Sequence, residues 1–327
     1  MREQLMPKPR LRLSIYGILF LFFMLSACTS LRDTPSANYN SRVSIIVIHH
    51  TTANFADSLR ILTVPSSNSV SSHYLIPEPD DKTYAKSRVQ TYELVPESQR
   101  AWHAGTSYWA GKSGLNDQSI GIELVNQTWC HSSGMEVDPY TGNPDRICFY
   151  PDFADTQIAL LVDLLDDILE RHPDVKPINI IGHADIAPDR KIDPGPRFPW
   201  QRLAVLGYGA WFDDETVIRY WEQFRLQPLP LSNVQRALDA YGYGIEVTGE
   251  DDEQTRNVLR AFQMHFRPMD VTSTPTLETT ATLYALIEKY HPEQLDELLQ
   301  IEPQIIEPQI IEPEPPVDDT ETSPAEA

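Results

Sequence analysis

Basic side chains are scarce in this chain. Its 327 residues hold 26 lysines and arginines against 47 aspartates and glutamates, a formal net charge of −21. Such a surface repels another polyanion, which excludes nucleic acid as a partner. Cysteine is scarcer still, with Cys28, Cys130 and Cys148 the whole complement. All three stand away from the histidine motifs considered below, so a structural zinc site built on thiolates is excluded. No apolar run stays in a bilayer as a permanent helix either: residues 13–25 are apolar, whereas a spanning helix needs about 20 such residues.

That short run has an informative setting. Arg2, Lys8, Arg10 and Arg12 surround its start, and Leu25-Ser26-Ala27-Cys28 closes it. This is the order of a basic region, an apolar region and a small-residue cleavage site. The last four residues resemble the lipobox of bacterial lipoproteins. The resemblance implies that residues 1–27 are a lipoprotein signal peptide and that Cys28 is acylated, with several acyl chains giving firm anchorage. Thr29, rather than an aspartate, implies the outer membrane, facing the periplasm of the bacterial cell envelope. Residues 28–40 read as a polar tether. About 300 residues remain after cleavage, enough for one substantial domain and a small one. Cys130 and Cys148 flank a Gly/Pro/Ser-rich segment in an oxidising compartment; a disulfide and two free thiols both remain open.

Over residues 41–211, short apolar runs alternate with loops and one strong helix. Residues 43–48, 72–76, 119–125 and 177–182 read as buried strands. The helix starts at Asp155 as its expected cap, with Ile158, Leu161, Leu165, Ile168 and Leu169 on one face and Pro173 near its end. Strands mixed with helices on one core predict an α/β fold, a mixed central β-sheet flanked by helices. Residues 212–291 read as a less regular bridge (212–228) and a small three-helix domain. Its first helix is stopped by Gly242, its second follows the acidic turn 249–252, and its third starts at Thr274-Pro275. Residues 292–327, acidic and proline-rich with a repeated QIIEP, are expected to be a disordered tail.

The chemistry concentrates at strand ends. VSIIVIHH ends in His49 and His50, which point to opposite faces because strand side chains alternate. IIGHADIAPDRKIDPGPRFPW adds His183, Lys191 and Asp193 on a Gly/Pro-rich loop after a second apolar run. His49, His183 and Asp193 supply two neutral nitrogens and one carboxylate, which leaves a tetrahedral zinc one open position, the arrangement of a catalytic site. In SIGIELV, Glu123 is a carboxylate inside a strand, costly there unless paired or used. Beside a metal it suits a general base and acid. Lys191, two residues before Asp193, suits the stabilisation of an oxyanion.

Together VIHHTTA, SSHYLI, AWHAG, LNDQSIGIELVN and the segment around His183 resemble the type 2 N-acetylmuramoyl-L-alanine amidases, zinc amidases akin to peptidoglycan recognition proteins. The resemblance runs from about residue 43 to 211. It implies hydrolysis of the amide between N-acetylmuramic acid and L-alanine, zinc on His49, His183 and Asp193, and catalytic roles for Glu123 and Lys191. Many relatives have cysteine where Asp193 stands, and some have a catalytic tyrosine where Ser72 stands, which puts more weight on Glu123. Trp102 and His103, in a polar-aromatic loop, and Asn116 are expected to bind substrate, although Asn116 equally suits a turn cap. His73 reads as a buttress of the sheet. The C-terminal unit is similar to three-helix peptidoglycan-binding domains. The expected partners are peptidoglycan or muropeptides and, through the lipid, the membrane; the expected state is a monomer. Two competing readings are a non-catalytic peptidoglycan-binding lipoprotein on the same fold and a zinc peptidase cutting within the stem peptide.

Overall fold

The computed structural model describes residues 34–38, 41–132 and 146–301. The expected signal peptide, Cys28 and the tail beyond 301 lie outside the described residues. The chain runs through β1 (Ile45–His50), α1 (Phe55–Thr63), β2 (Tyr74–Ile76), β3 (Tyr92–Glu93), β4 (Tyr108–Trp109), β5 (Lys112–Ser113) and β6 (Ser119–Leu124). The hairpin β7 (Trp129–Ser132) and β8 (Arg146–Phe149) follows, then α2 (Asp155–Arg171), β9 (Ile180–Gly182), α3 (His183–Ile186) and α4 (Trp200–Val205). Five helices end the described chain: α5 (Asp214–Leu226), α6 (Leu231–Tyr241), α7 (Glu253–Phe266), α8 (Leu277–Tyr290) and α9 (Leu295–Leu298).

Five strands form one mixed sheet in the order β3-β2-β6-β1-β9. β1 lies parallel to both β6 and β9, β2 is parallel to β6, and only β3 runs antiparallel. Parallel strands are buried on both faces, and the near-continuous apolar sequences of β1 and β6 meet that demand. On one face Ile46, Ile48, Ile120, Ile122 and Ile180 pack against Ile158, Leu161, Leu165 and Ile168 of α2. Each of those helix side chains contributes roughly 1.5–3 kcal/mol by leaving water. On the other face Ile45, Val47 and Ile181 join Ala104, Trp109 and Leu115 in a core that continues without a break into Tyr220, Leu238, Phe262 and Tyr284 of the C-terminal helices. Among the described residues no helix is long and apolar enough to cross a membrane.

Four expectations need correction. Asp155 is the first residue of α2 and not its cap; the Ala154 N–H is taken instead by the Gln157 side chain. The bridge 212–228 contains a regular helix, α5, because Val217, Tyr220, Trp221 and Phe224 repeat at helical spacing, and its Tyr220 and Arg219 bond Glu288 of α8. The last long helix starts later than Thr274-Pro275, with the Thr276 hydroxyl accepting from the Thr279 N–H. The ordered chain also passes 292: Leu298 is buried, and its carbonyl accepts from Asn233 and Tyr284. Cys130 and Cys148, which face each other in the β7–β8 ladder, form a disulfide.

Candidate active site

Parallel strands present their carboxyl ends on one side of the sheet, and there β1, β6 and β9 deliver side chains to a single cavity of about 210 Å³. His49 comes from the end of β1, Glu123 from β6 and His183 from the first turn after β9; Asp193 and Lys191 come from the loop beyond. His49 Nδ1 lies 3.0 Å from His183 Nδ1, and both lie 3.1 Å from Asp193 Oδ2. All three residues are buried and could hold one metal ion. Ligand atoms about 2.0–2.1 Å from a tetrahedral zinc stand about 3.3 Å apart, close to the observed triangle.

The hydrogen bonds behind the triangle fix where the protons are. Ser119 Oγ donates to the Leu115 carbonyl, so it can only accept from His103 Nε2 at 3.1 Å. His103 Nδ1 is then a lone pair and accepts from His49 Nε2 at 3.0 Å. His49 Nδ1 is left as a lone pair. His183 Nε2 faces the Ala104 carbonyl at 3.2 Å and must donate to it, which leaves its Nδ1 as a lone pair too. Two imidazole lone pairs and a carboxylate oxygen thus point at one spot with no donor among them. A cation relieves that crowding, and locking each imidazole through its second nitrogen is how proteins hold metal-ligating histidines.

Burial alone would raise the Asp193 carboxyl; without a cation, a proton taken up on the His183 or His49 Nδ1 turns that ring into a charged donor and holds the carboxyl well below the usual range. Glu123 pairs in register with His49 and so shares its face of the sheet. Burial first, and the Asp193 charge second, push its carboxyl up to about 8, against the pull of Lys191. Its Oε2 is buried with no hydrogen-bond partner, as befits a group waiting for substrate or solvent.

The sequence matches the N-acetylmuramoyl-L-alanine amidase family model over residues 39–196 and a peptidoglycan binding domain model over residues 230–283. It is 42% identical over 250 residues to the N-acetylmuramoyl-L-alanine amidase AmiD of Escherichia coli, an alignment spanning 76% of this chain and 84% of that one. The chain belongs to the N-acetylmuramoyl-L-alanine amidase family. Two solved structures share its fold. AmpDh3 of Pseudomonas aeruginosa, in complex with anhydromuramic pentapeptide, matches at 42% identity with a TM-score of 0.71, covering 80% of this chain and 97% of that one. AmiD from E. coli, with the substrate anhydro-N-acetylmuramic acid-L-Ala-D-γ-Glu-L-Lys, matches at 39% identity with a TM-score of 0.65, covering 79% and 93%. The reading as a non-catalytic binding protein is therefore set aside: the chain is an amidase.

The residues expected to line the amidase's substrate groove divide. Trp102 is half-exposed and borders the cavity residue Ser71, whose Oγ accepts from its N–H. His103 lines the cavity but is buried beside His49, and both its ring nitrogens are committed, to His49 and to Ser119. Asn116 fills the capping role, its Oδ1 accepting from the N–H groups of His103 and Ala104, and so braces the loop that supplies the Ala104 carbonyl to His183. Ser72, in the place of the tyrosine of some relatives, is buried and donates to the Gly121 carbonyl. His73 buttresses the sheet as expected, accepting from the Gly121 N–H and donating to the Gln99 carbonyl.

Sequence reasoning missed Ser119, Gly121 and Gly182. A Cβ on Gly121 would sit 2.5 Å from the His103 ring, and one on Gly182 would sit 2.7 Å from Pro194, the residue after Asp193. The signal was glycine inside strands, which marks close approach by a neighbour.

Buried neutral imidazoles make the fold acid-sensitive. His49 is lowered from 6.5 to about 4, by burial and then by His183, despite Asp193. His50 and His73 are lowered and His103 is lowered further, burial leading in each. At these rings the unfolded chain therefore binds more protons than the folded one between about pH 6.5 and about pH 4, so their stability is present above that window and falls as pH drops through it. Glu123, raised from 4.5 to about 8, acts in the opposite sense, so the test removes it: thermal melts of metal-free Glu123→Gln should show a midpoint several degrees lower at pH 5 than at pH 7.5. Equal midpoints would contradict the neutral, buried state of these rings.

Proposed function

We propose that the chain is a zinc-dependent amidase that cuts the bond between the lactyl group of N-acetylmuramic acid and L-alanine, in peptidoglycan or its fragments. The observation that carries this reading is the donor-free triangle of His49 Nδ1, His183 Nδ1 and Asp193 Oδ2. Those three residues would hold the ion, and when bound it supplies a Lewis acid that acidifies water and polarises a carbonyl.

The chain's own groups do the rest. Glu123 takes a proton from the attacking water and passes it to the leaving L-alanine nitrogen. Lys191, lining the same cavity, stabilises the negative charge that develops on the former carbonyl oxygen. Trp102 forms one wall of the groove. The named complexes of AmpDh3 and AmiD hold anhydromuramyl peptides, which supports the same class of substrate here. The helical unit at 230–283 adds affinity for the wall, and Cys28 carries the lipid that tethers a monomer to the outer membrane on its periplasmic side.

Digestion of purified anhydromuropeptides tests the bond cleaved. Release of an intact stem peptide with a free L-alanine amino group, lost on chelation and regained with zinc, is the expected result. Shortened stems still attached to sugar would establish a peptidase in its place.

A further inference from the structure

The turn that carries His183 is gripped by residues from the far end of the chain. Asp185 is buried, and its Oδ2 accepts from the Gly182 N–H at 2.7 Å and from His265 Nδ1 at 2.8 Å. Its Oδ1 accepts from the Tyr243 hydroxyl at 2.6 Å. His265 belongs to α7 and Tyr243 follows α6, so both partners lie outside the sheet. Arg260 of α7 adds a third hold, donating to the Pro188 carbonyl at 2.7 Å. Ala184, Ile186 and Ala187 share one apolar core with Val258 and Phe262. The His265 ring is stacked on Trp200 at 3.9 Å and Phe266 at 4.0 Å, which leaves it no room to swing away.

We propose that Asp185, Tyr243 and His265 are positioning residues for the metal site, through which the peptidoglycan-binding-like helices set the geometry of a catalytic ligand. The inference rests on reading His49, His183 and Asp193 as that site. Its steps are short. A buried carboxylate accepting three hydrogen bonds is a strong, directional anchor. It fixes the Gly182 N–H and with it the first turn of α3, where His183 sits. Two residues on, the Ala184 N–H donates to the Asp193 carbonyl at 2.8 Å, so two of the three ligands ride on the same anchored turn. Rotation of that turn by a few tenths of an ångström would open the ligand triangle. The helical unit is then part of the catalytic apparatus and not a detachable tether.

The test uses the full chain. Tyr243→Phe, His265→Gln and Asp185→Asn are compared with Leu286→Ala, a fully buried position in the helical core. Zinc affinity is read by competition with a chromophoric chelator, geometry by the visible spectrum of cobalt-loaded protein, and turnover as separate kcat and KM. Tyr243→Phe and Asp185→Asn are expected to weaken zinc binding about 10-fold or more, as loss of a supporting hydrogen bond does in other metal sites. They should also shift the cobalt spectrum and lower kcat with KM nearly unchanged, while Leu286→Ala lowers the melting temperature and keeps zinc affinity. The inference is overturned if Tyr243→Phe and His265→Gln both bind zinc as tightly as the parent, or if Leu286→Ala weakens zinc equally. Should Asp185→Asn fail to fold, Tyr243→Phe, which removes one oxygen atom, carries the test. A parent protein that binds no zinc overturns the underlying metal reading, which is distinct from a zinc-loaded parent matched by its variants.

Discussion

Replacing Asp193 with alanine is expected to abolish metal binding and amide hydrolysis together. The carboxylate is the one anion in the triangle, 3.1 Å from each imidazole Nδ1. Without it two neutral nitrogens remain, too few to strip a divalent ion of its water. Affinity should fall by more than about 100-fold, the upper range for losing a mere supporting partner of a ligand. Because metal binds the folded state alone, saturation at 1,000 times Kd adds about 4 kcal/mol of stability. Chelation should therefore lower the melting temperature of the parent protein to near that of Asp193→Ala, and added zinc should leave the variant unmoved. Asp193→Cys is the matching rescue, since a thiolate is an equally competent zinc ligand. Elemental analysis finding one equivalent of metal in purified Asp193→Ala would sink the assignment.

The meeting of these three side chains was legible in the sequence because each stands at a point where an apolar run breaks. An imidazole ending VSIIVI or following INIIG must find a partner, and strand alternation separates His49 from His50 without any knowledge of the fold. The pairing of Glu123 with His49 was not legible, because it depends on the parallel register of β1 against β6, and no single strand encodes its neighbour. The same limit explains His103. Its loop looks like a groove lining, and only the packing of Gly121 beneath its ring turns it inward behind His49.

What the helical end of the chain packs against was hidden for a related reason. Asp185 stands two residues from His183 in plain view, yet its partners Tyr243 and His265 lie 58 and 80 positions away. Periodicity reports which face of a helix is buried but not what it is buried against. In α5 the spacing of Val217, Tyr220 and Phe224 is helical, but the acidic start and mixed polarity of the segment masked it. The tertiary partner, α8 with Glu288, is what stabilises it.

Glu123→Gln separates chemistry from binding most sharply. The substitution keeps the shape and the place in the strand but removes the group that takes and returns a proton, a loss of about 10²–10⁴-fold in kcat for general acid–base catalysis. Zinc affinity should stay within a few-fold of the parent, because no ligand is touched. The pH behaviour carries the sign of the mechanism. In the metal-free protein Glu123 holds its proton up to about pH 8, with burial the main cause and Asp193 the next. A divalent charge at the three ligands favours the carboxylate, so in the loaded enzyme Glu123 ionises below about pH 8 and activity rises with pH through that value. The rising limb should be absent from the residual activity of Glu123→Gln. Stability gives an independent reading on metal-free protein. A carboxyl raised from 4.5 to about 8 contributes stability that is full below the lower value and lost as pH climbs through the upper one. Glu123→Gln should therefore melt increasingly above the parent as pH rises across that range. A variant with full turnover, or one whose melting advantage shrinks with rising pH, would remove Glu123 from the catalytic site.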